Sequence, residues 1–278
     1  MELHDHGLTS DLEMMRRQAA ERRQVLRWLL AGAATMPLIG CGGGSDAGAT
    51  AASSGAVTLP ATGACMVIPE ETGGPYPADG TNTNGGSIIN VLKQSGVVRG
   101  DIRASFNGAT GVAAGVPLTI QLQLLNASGG CASLAGYAVY LWHCDRDGLY
   151  SLYSGGLTAQ NYLRGVQETD SAGNLVFTTI FPGCYAGRMP HVHFEVYPSL
   201  AKAASAANRL KTSQFTFPMA TLNEAYTASG YTASVRNLAQ ISYATDNVFA
   251  DGTSLQMATV TGNATDGYVA TLVIAVNG

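Results

Sequence analysis

Charge is scarce in this sequence: 12% of its 278 residues are charged, 46% are hydrophobic, and the formal net charge is −4. After position 28 the basic residues are scattered singly. No cationic stripe exists to hold a nucleic-acid backbone, so that class of function is set aside. Histidine is rarer still, 5 in all, and beyond residue 40 only His143, His191 and His193 remain. No apolar run reaches the roughly 20 residues that a membrane-spanning helix requires. Long segments with the 3.6-residue period of a helix are missing too; a short one around residues 234–240 is the exception. What is plentiful is glycine, 34 residues. With so much apolar content, this indicates a folded, turn-rich, β-rich chain and argues against disorder.

The first 40 residues carry an export pattern. In "ERRQVLRWLLAGAATMPLIGC" an arginine pair (Arg22, Arg23) precedes an apolar stretch from Trp28 to Ile39, about a dozen residues, which suits a signal-peptide core. Leu38-Ile39-Gly40-Cys41 is similar to the lipobox of bacterial lipoproteins, whose cysteine is lipidated, and the arginine pair is similar to a twin-arginine signal. Residues 41–60 are a Gly/Ala/Ser-rich tether. The expectation is therefore an exported protein held through Cys41 in the cell envelope, with one domain over residues 61–278. Of the other cysteines, Cys65 and Cys131 sit in turn-like surroundings and are the favoured disulfide pair. Cys144 and Cys184 suit either buried thiols or a bridge.

Within the domain, "GVPLTIQLQLLNA" alternates apolar and polar residues. "AGYAVYLWHCD", "NLVFTTI", "HVHFEVYP", "SQFTFP" and "GYVATLVIAVNG" are further β-branched or aromatic runs bounded by turn residues. Many short strands with Gly-rich turns predict an all-β fold, a β-sandwich core of short antiparallel strands with long loops carrying the chemistry.

The chemical candidates cluster in "FPGCYAGRMPHVHFEVYP". Residues two apart on a strand share a face, so His191 and His193 project side by side. Two imidazoles alone do not complete a metal site. His143, on another strand and without a partner of its own, is read as structural. Two tyrosines are placed to add ligands: Tyr185 after the Pro182-Gly183 turn, and Tyr150 at the end of "WHCDRDGLYS", where a strand meets an Asp-Gly turn. A phenolate is a hard anionic donor suited to ferric iron, and it needs such a cation to ionise near neutral pH.

The segments "VYLWHCDRDGLYS", "YLRGVQETDSAGNLVFTTIFPGCYAGRMPHVHFEV" and "PEETGGPYPADG" resemble the intradiol ring-cleavage dioxygenases, the protocatechuate and catechol dioxygenase family, over roughly residues 65–220. W-x7-Y, L-R-G, P-G-x-Y and R-x-x-H-x-H all fall at the family's spacing. The resemblance implies ferric iron, Fe(3+), held by Tyr150, Tyr185, His191 and His193. Arg188 and Gln214 are implied beside the substrate, with Tyr185 also acting in catalysis, and Pro75, Tyr76 and Trp142 at the substrate cleft. The implied reaction opens an ortho-diphenol with dioxygen between its hydroxyl-bearing carbons to a muconate-type diacid. The chain departs from the pattern at Cys184, where many relatives carry a bulkier residue. It also lacks the helical region through which some catechol dioxygenases dimerise, so oligomeric state is open. Two other readings compete: a cupin-like or hydrolytic metal site of His191, His193 and Glu195, and a lipid-anchored, non-catalytic β-sandwich binding protein.

Overall fold

The computed structural model describes residues 65–278; the export pattern, the tether and Cys41 lie outside the described residues. In chain order the strands are β1 (Asp79–Asn84), β2 (Ser87–Asn90), β3 (Pro117–Asn126), β4 (Ala132–Ser133), β5 (Ala138–Trp142) and β6 (Arg164–Glu168). They continue with β7 (Asn174–Ile180), β8 (His191–Tyr197), β9 (Lys211–Thr216), β10 (Thr259–Asn263) and β11 (Gly267–Val276). Three short helices, α1 (Leu200–Ala203), α2 (Met219–Ala225) and α3 (Thr232–Leu238), lie between β8 and β10. The expected strand runs are β3, β5, β7, β8, β9 and β11, and the short helical signal is α3.

Two sheets share one core. The first is ordered β10-β11-β3-β4, with β7 also on β3; the second is ordered β6-β5-β8-β9; β1 and β2 form a separate hairpin. The core takes Leu118, Ile120, Leu122 and Leu124 from β3 and Phe177 from β7. The second sheet contributes Val139, Leu141, Val192, Phe194, Val196 and Phe215. Each such side chain, fully buried, contributes about 1.5–3 kcal/mol. Among the described residues, all pairs of named strands but one are antiparallel, as the alternating pattern predicts. The exception is β3 with β11, which pair in parallel from Leu118↔Tyr268 to Asn126↔Val276. A parallel partner can be supplied only by a long crossover, and most of the domain lies between these two strands.

The start of the described chain is tied down. Cys65 is disulfide-bonded to Cys131 with a Cα–Cα distance of 5.7 Å, as favoured from sequence, and Ile68 N–H donates to Ala275 C=O at 2.9 Å. Cys144 and Cys184 are buried free thiols. Residues 70–78 thereby cross the second sheet on the face turned away from the core. That outer face is itself buried, with Tyr140, Trp142, Tyr150 and Tyr197 in a second cluster flanked by Tyr76, Tyr153 and Tyr185.

Candidate metal centre

Strand alternation divides β8 cleanly. Val192, Phe194 and Val196 enter the core, so His191, His193, Glu195 and Tyr197 take the outer face. Cross-strand register then builds rows on that face: Trp142, His193 and Gln214 in one, and Tyr140, Glu195 and Thr212 in the next.

At the first row, donor atoms converge. His191 Nε2 lies 3.1 Å from His193 Nε2 and 3.3 Å from Tyr185 Oη. The other nitrogen of His191, Nδ1, is 2.6 Å from the Met189 carbonyl. That contact makes Nδ1 the protonated nitrogen and leaves the Nε2 lone pair aimed at the cluster. Tyr150 is 2% exposed, and its hydroxyl is buried without a hydrogen-bond partner; its ring centroid lies 6.0 Å from Tyr185 and 6.3 Å from His193. A buried unsatisfied hydroxyl beside two facing nitrogens is costly unless a cation joins them. Among the described residues no group of three His, Cys, Asp or Glu side chains could hold a metal, so such a site depends on the two phenols. Burial holds His191 and His193 well below the ordinary imidazole value, with Arg188 adding at His191, and His191 and Arg188 adding at His193. Both are therefore neutral imidazoles. Burial, then Tyr185 and Cys144, push Tyr150 well above the ordinary phenol value against the pull of Arg188. The Tyr150 phenol ionises here only if a strong cation is bound. The donor set fits a hard, highly charged metal ion.

The tyrosine loops are shaped by glycines and by each other. Asp145 C=O accepts both Gly148 N–H and Gly183 N–H, each at 3.0 Å. A Cβ on Gly183 would meet Arg146 O at 2.6 Å, and one on Gly148, whose φ is +82°, would meet Tyr185 Cβ at 3.0 Å. Only glycine lets the two loops lie this close. From behind, α3 braces the Tyr185 loop: Cys184 N–H donates to Ser234 Oγ at 2.9 Å and Asn237 Nδ2 donates to Cys184 C=O at 2.8 Å. In front, Ala186 and Gly187 are exposed and Tyr185 is half-buried.

Arg188 is buried close enough to the cluster for its charge to act on both imidazoles. Its Nη2 donates to Gln214 Oε1 at 2.7 Å and its Nε to Asp246 Oδ2 at 3.0 Å. Burial works against its charge, but Tyr185, Asp246 and Tyr150 together outweigh that and hold the pKa above the ordinary arginine value. Gln214 Nε2 donates to Thr72 C=O at 2.8 Å, which fixes the amide with its oxygen toward Arg188. The Tyr76 ring lies 5.0 Å from Tyr150, in the half-buried turn that also holds Pro75. Trp142 is placed differently from expectation. Its ring is clamped between Tyr140 at 4.9 Å and His193 at 4.8 Å, so it backs a histidine and both its faces are taken. His143 sits apart, its nitrogens satisfied by Cys144 C=O and Thr179 Oγ1 at 2.7 Å each.

Glu195 shares the histidines' face but not their site. It accepts from Tyr197 Oη at 2.6 Å and from Arg209 Nη1 at 2.7 Å. Burial, then Asp79, raise its pKa to about 8. The two-histidine, one-glutamate reading therefore has no geometry behind it.

Two further residues orient this site. Asp246, fully buried, accepts from Arg188 and from Met189 N–H at 2.6 Å. Arg164, the arginine of L-R-G, donates from Nε to Ser151 Oγ at 3.1 Å and from Nη2 to Ser151 C=O at 3.0 Å. Its Nη1 reaches Tyr140 Oη at 3.0 Å and the Tyr76 and Pro77 carbonyls at 2.9 and 3.2 Å. Arg164 thus ties the Gly-Pro-Tyr turn to the residue after Tyr150. The quoted L-R-G motif contained this arginine; no spacing or periodicity could have singled out Asp246.

Residues 99–218 match a family model described as Dioxygenase. The described residues have the fold of a solved intradiol ring-cleavage dioxygenase. The solved intradiol ring-cleavage dioxygenase from Tetranychus urticae superposes with a TM-score of 0.59 at 22% identity, over 77% of this chain and 95% of that one. The dioxygenase domain of a dioxygenase–carbohydrate-binding fusion from Streptomyces sp. SirexAA-E gives 0.46 at 23% identity, covering 76% and 97%. Chlorocatechol 1,2-dioxygenase from Pseudomonas putida gives 0.42 at 21%, covering 65% of each chain. No curated protein matches the chain in sequence. The fold assignment rests on the first superposition, and the motif residues from Trp142 to His193 all fall inside the segment that the family model matches.

Proposed function

We propose that this dioxygenase domain holds ferric iron through Tyr150, Tyr185, His191 and His193 and cleaves a catechol-type ring between its two hydroxyl-bearing carbons, giving a muconate-type dicarboxylic acid. The observation that carries this reading is the convergence of both Nε2 atoms and the Tyr185 hydroxyl beside the orphaned Tyr150 hydroxyl. When bound, iron(III) supplies a Lewis acid for the diol oxygens and brings ring and dioxygen together.

The chain's own residues divide the remaining work. Tyr185, half-buried on a loop with Gly187 in open space, is the phenolate free to swing out and take a proton from an incoming diol hydroxyl. Tyr150 is buried and packed against Tyr76, so it stays in place. His193 is held in plane by the Trp142 ring at an interplanar angle of 2°. Arg188, oriented by Asp246 and Gln214, presents N–H groups to oxygen atoms that gain negative charge as the ring opens. The experiment is a visible spectrum of the purified protein before and after catechol is added without oxygen. A red-brown phenolate-to-metal band that shifts on addition, with about one iron per chain, is expected for this donor set. A colourless protein that takes up no iron on reconstitution would overturn the proposal.

We infer from the sequence that residues 1–40 direct export and that Cys41 carries a lipid anchoring the domain in the bacterial cell envelope. Cys41→Ala is expected to release soluble protein, and unchanged membrane attachment would rule out the anchor.

A further inference from the structure

The charges around the donor cluster define what kind of diol the cleft accepts. Arg188 acts on both imidazoles and Arg164 on that of His193, and protein groups already engage each of them. Arg188 is 3% exposed and is paired with Asp246, which is 0% exposed. Two of its three nitrogens are engaged, Nε by that carboxylate and Nη2 by Gln214. Asp246 cannot turn away. Its Oδ2 also accepts Met189 N–H at 2.6 Å, and its Oδ1 accepts Val248 and Phe249 N–H at 2.8 and 3.1 Å. Arg188 therefore offers hydrogen-bond donors without net charge. All three nitrogens of Arg164 are bonded to protein oxygens, those of Ser151, Tyr76, Pro77 and Tyr140. The walls nearest Tyr150 are the rings of Tyr76 and, beyond it, Tyr153.

Resting on the iron-dependent reading above, we propose that Asp246 is a specificity-determining residue: by neutralising Arg188 it restricts the site to ortho-diphenols without an anionic ring substituent. A carboxylate on the ring would lose its hydration on entering and meet no uncompensated cation, a cost that shows directly as lost affinity. A neutral substituent of the same shape carries no such penalty.

The test uses the iron-loaded protein without oxygen and follows binding optically for catechol, 3,4-dihydroxybenzamide and 3,4-dihydroxybenzoate. Amide and carboxylate are nearly equal in shape, so their ratio isolates charge. The amide is expected to bind about tenfold or more tighter than the carboxylate, and Asp246→Asn, which leaves Arg188 uncompensated, is expected to narrow that ratio. Asp246→Glu is expected to restore it. Equal or tighter binding of the carboxylate by the unaltered protein would overturn the proposal whether or not the variants fold, as would an unchanged ratio in a folded, iron-loaded Asp246→Asn. Failure of all three diols to perturb the spectrum would instead count against the iron and ring-cleavage reading itself.

Discussion

The outer face of β8 carries two polar clusters, one at each end, and they are built on opposite rules. At the Glu195 end the charged groups are all answered. Asp79 and Glu195, both fully buried, share Arg209 at 3.1 and 2.7 Å, Tyr197 donates to Glu195, and Thr81 N–H donates to Asp79 at 2.9 Å. At the His193 end, two nitrogens and a phenol oxygen face one another and a second phenol has no partner. The first cluster is complete as protein and fastens the β1–β2 hairpin to the sheet. The second leaves a buried phenol unpartnered beside facing donor atoms, an arrangement that fits the proposed cation. Two residues along one strand separate a structural site from a chemical one. Burial and polarity alone do not distinguish them; what distinguishes them is whether the lone pairs are already used.

Changes at the two ends should have different consequences. The largest effect is expected at the open end. His191→Ala or His193→Ala removes a ligand that no neighbouring side chain replaces, and iron content should fall to near zero. In the unaltered protein, iron loading should raise the melting temperature, because a ligand that binds only the folded state stabilises it; in the histidine variants that increment should vanish. Iron retained in both would break the comparison. Next in size is Tyr185→Phe. It leaves three protein ligands and removes the loop phenolate that takes the substrate proton, so iron should stay while ring opening slows by about 10²- to 10⁴-fold. Full turnover, read by diacid formation, would mean that another group is the base.

At the closed end the readout should be stability without loss of metal. Arg209→Ala leaves two buried carboxylates facing each other, and a loss of about 3 kcal/mol is expected, at the low end for a broken buried pair because Arg209 is itself partly exposed. Urea unfolding measures it, and iron stoichiometry of the folded fraction should not change. Tyr197→Phe deletes one hydrogen bond to Glu195 and should cost about 1–2 kcal/mol, again with iron content intact. If either variant lost iron while remaining folded, the two clusters would be one coupled unit and the distinction would fail.

Much of this was open to a reader of the sequence, because it rests on local rules. Period-2 alternation is set by the backbone of a strand, so "HVHFEVYP" put His191 and His193 on one face opposite Val192 and Phe194. Turn residues bound Tyr150 and Tyr185, and the family resemblance implied Arg188 and Gln214. The strands of the sandwich follow from the same alternation, and the Cys65–Cys131 pair from its turn-like surroundings. Tertiary structure alone decided the rest, since those features depend on contacts between residues far apart in the chain. Asp246 reaches Arg188 across 58 positions, and β11 lies parallel to β3 only because the chain returns after most of the domain has been laid down. The stacking of Trp142 behind His193, and the capture of Glu195 by Arg209, were likewise fixed by cross-strand register and loop closure. A pattern can say which face a side chain takes, because a strand's geometry repeats every two residues. It cannot say which distant atom will meet that side chain, and that meeting is what left the lone pairs of His191 and His193 open and those of Glu195 closed.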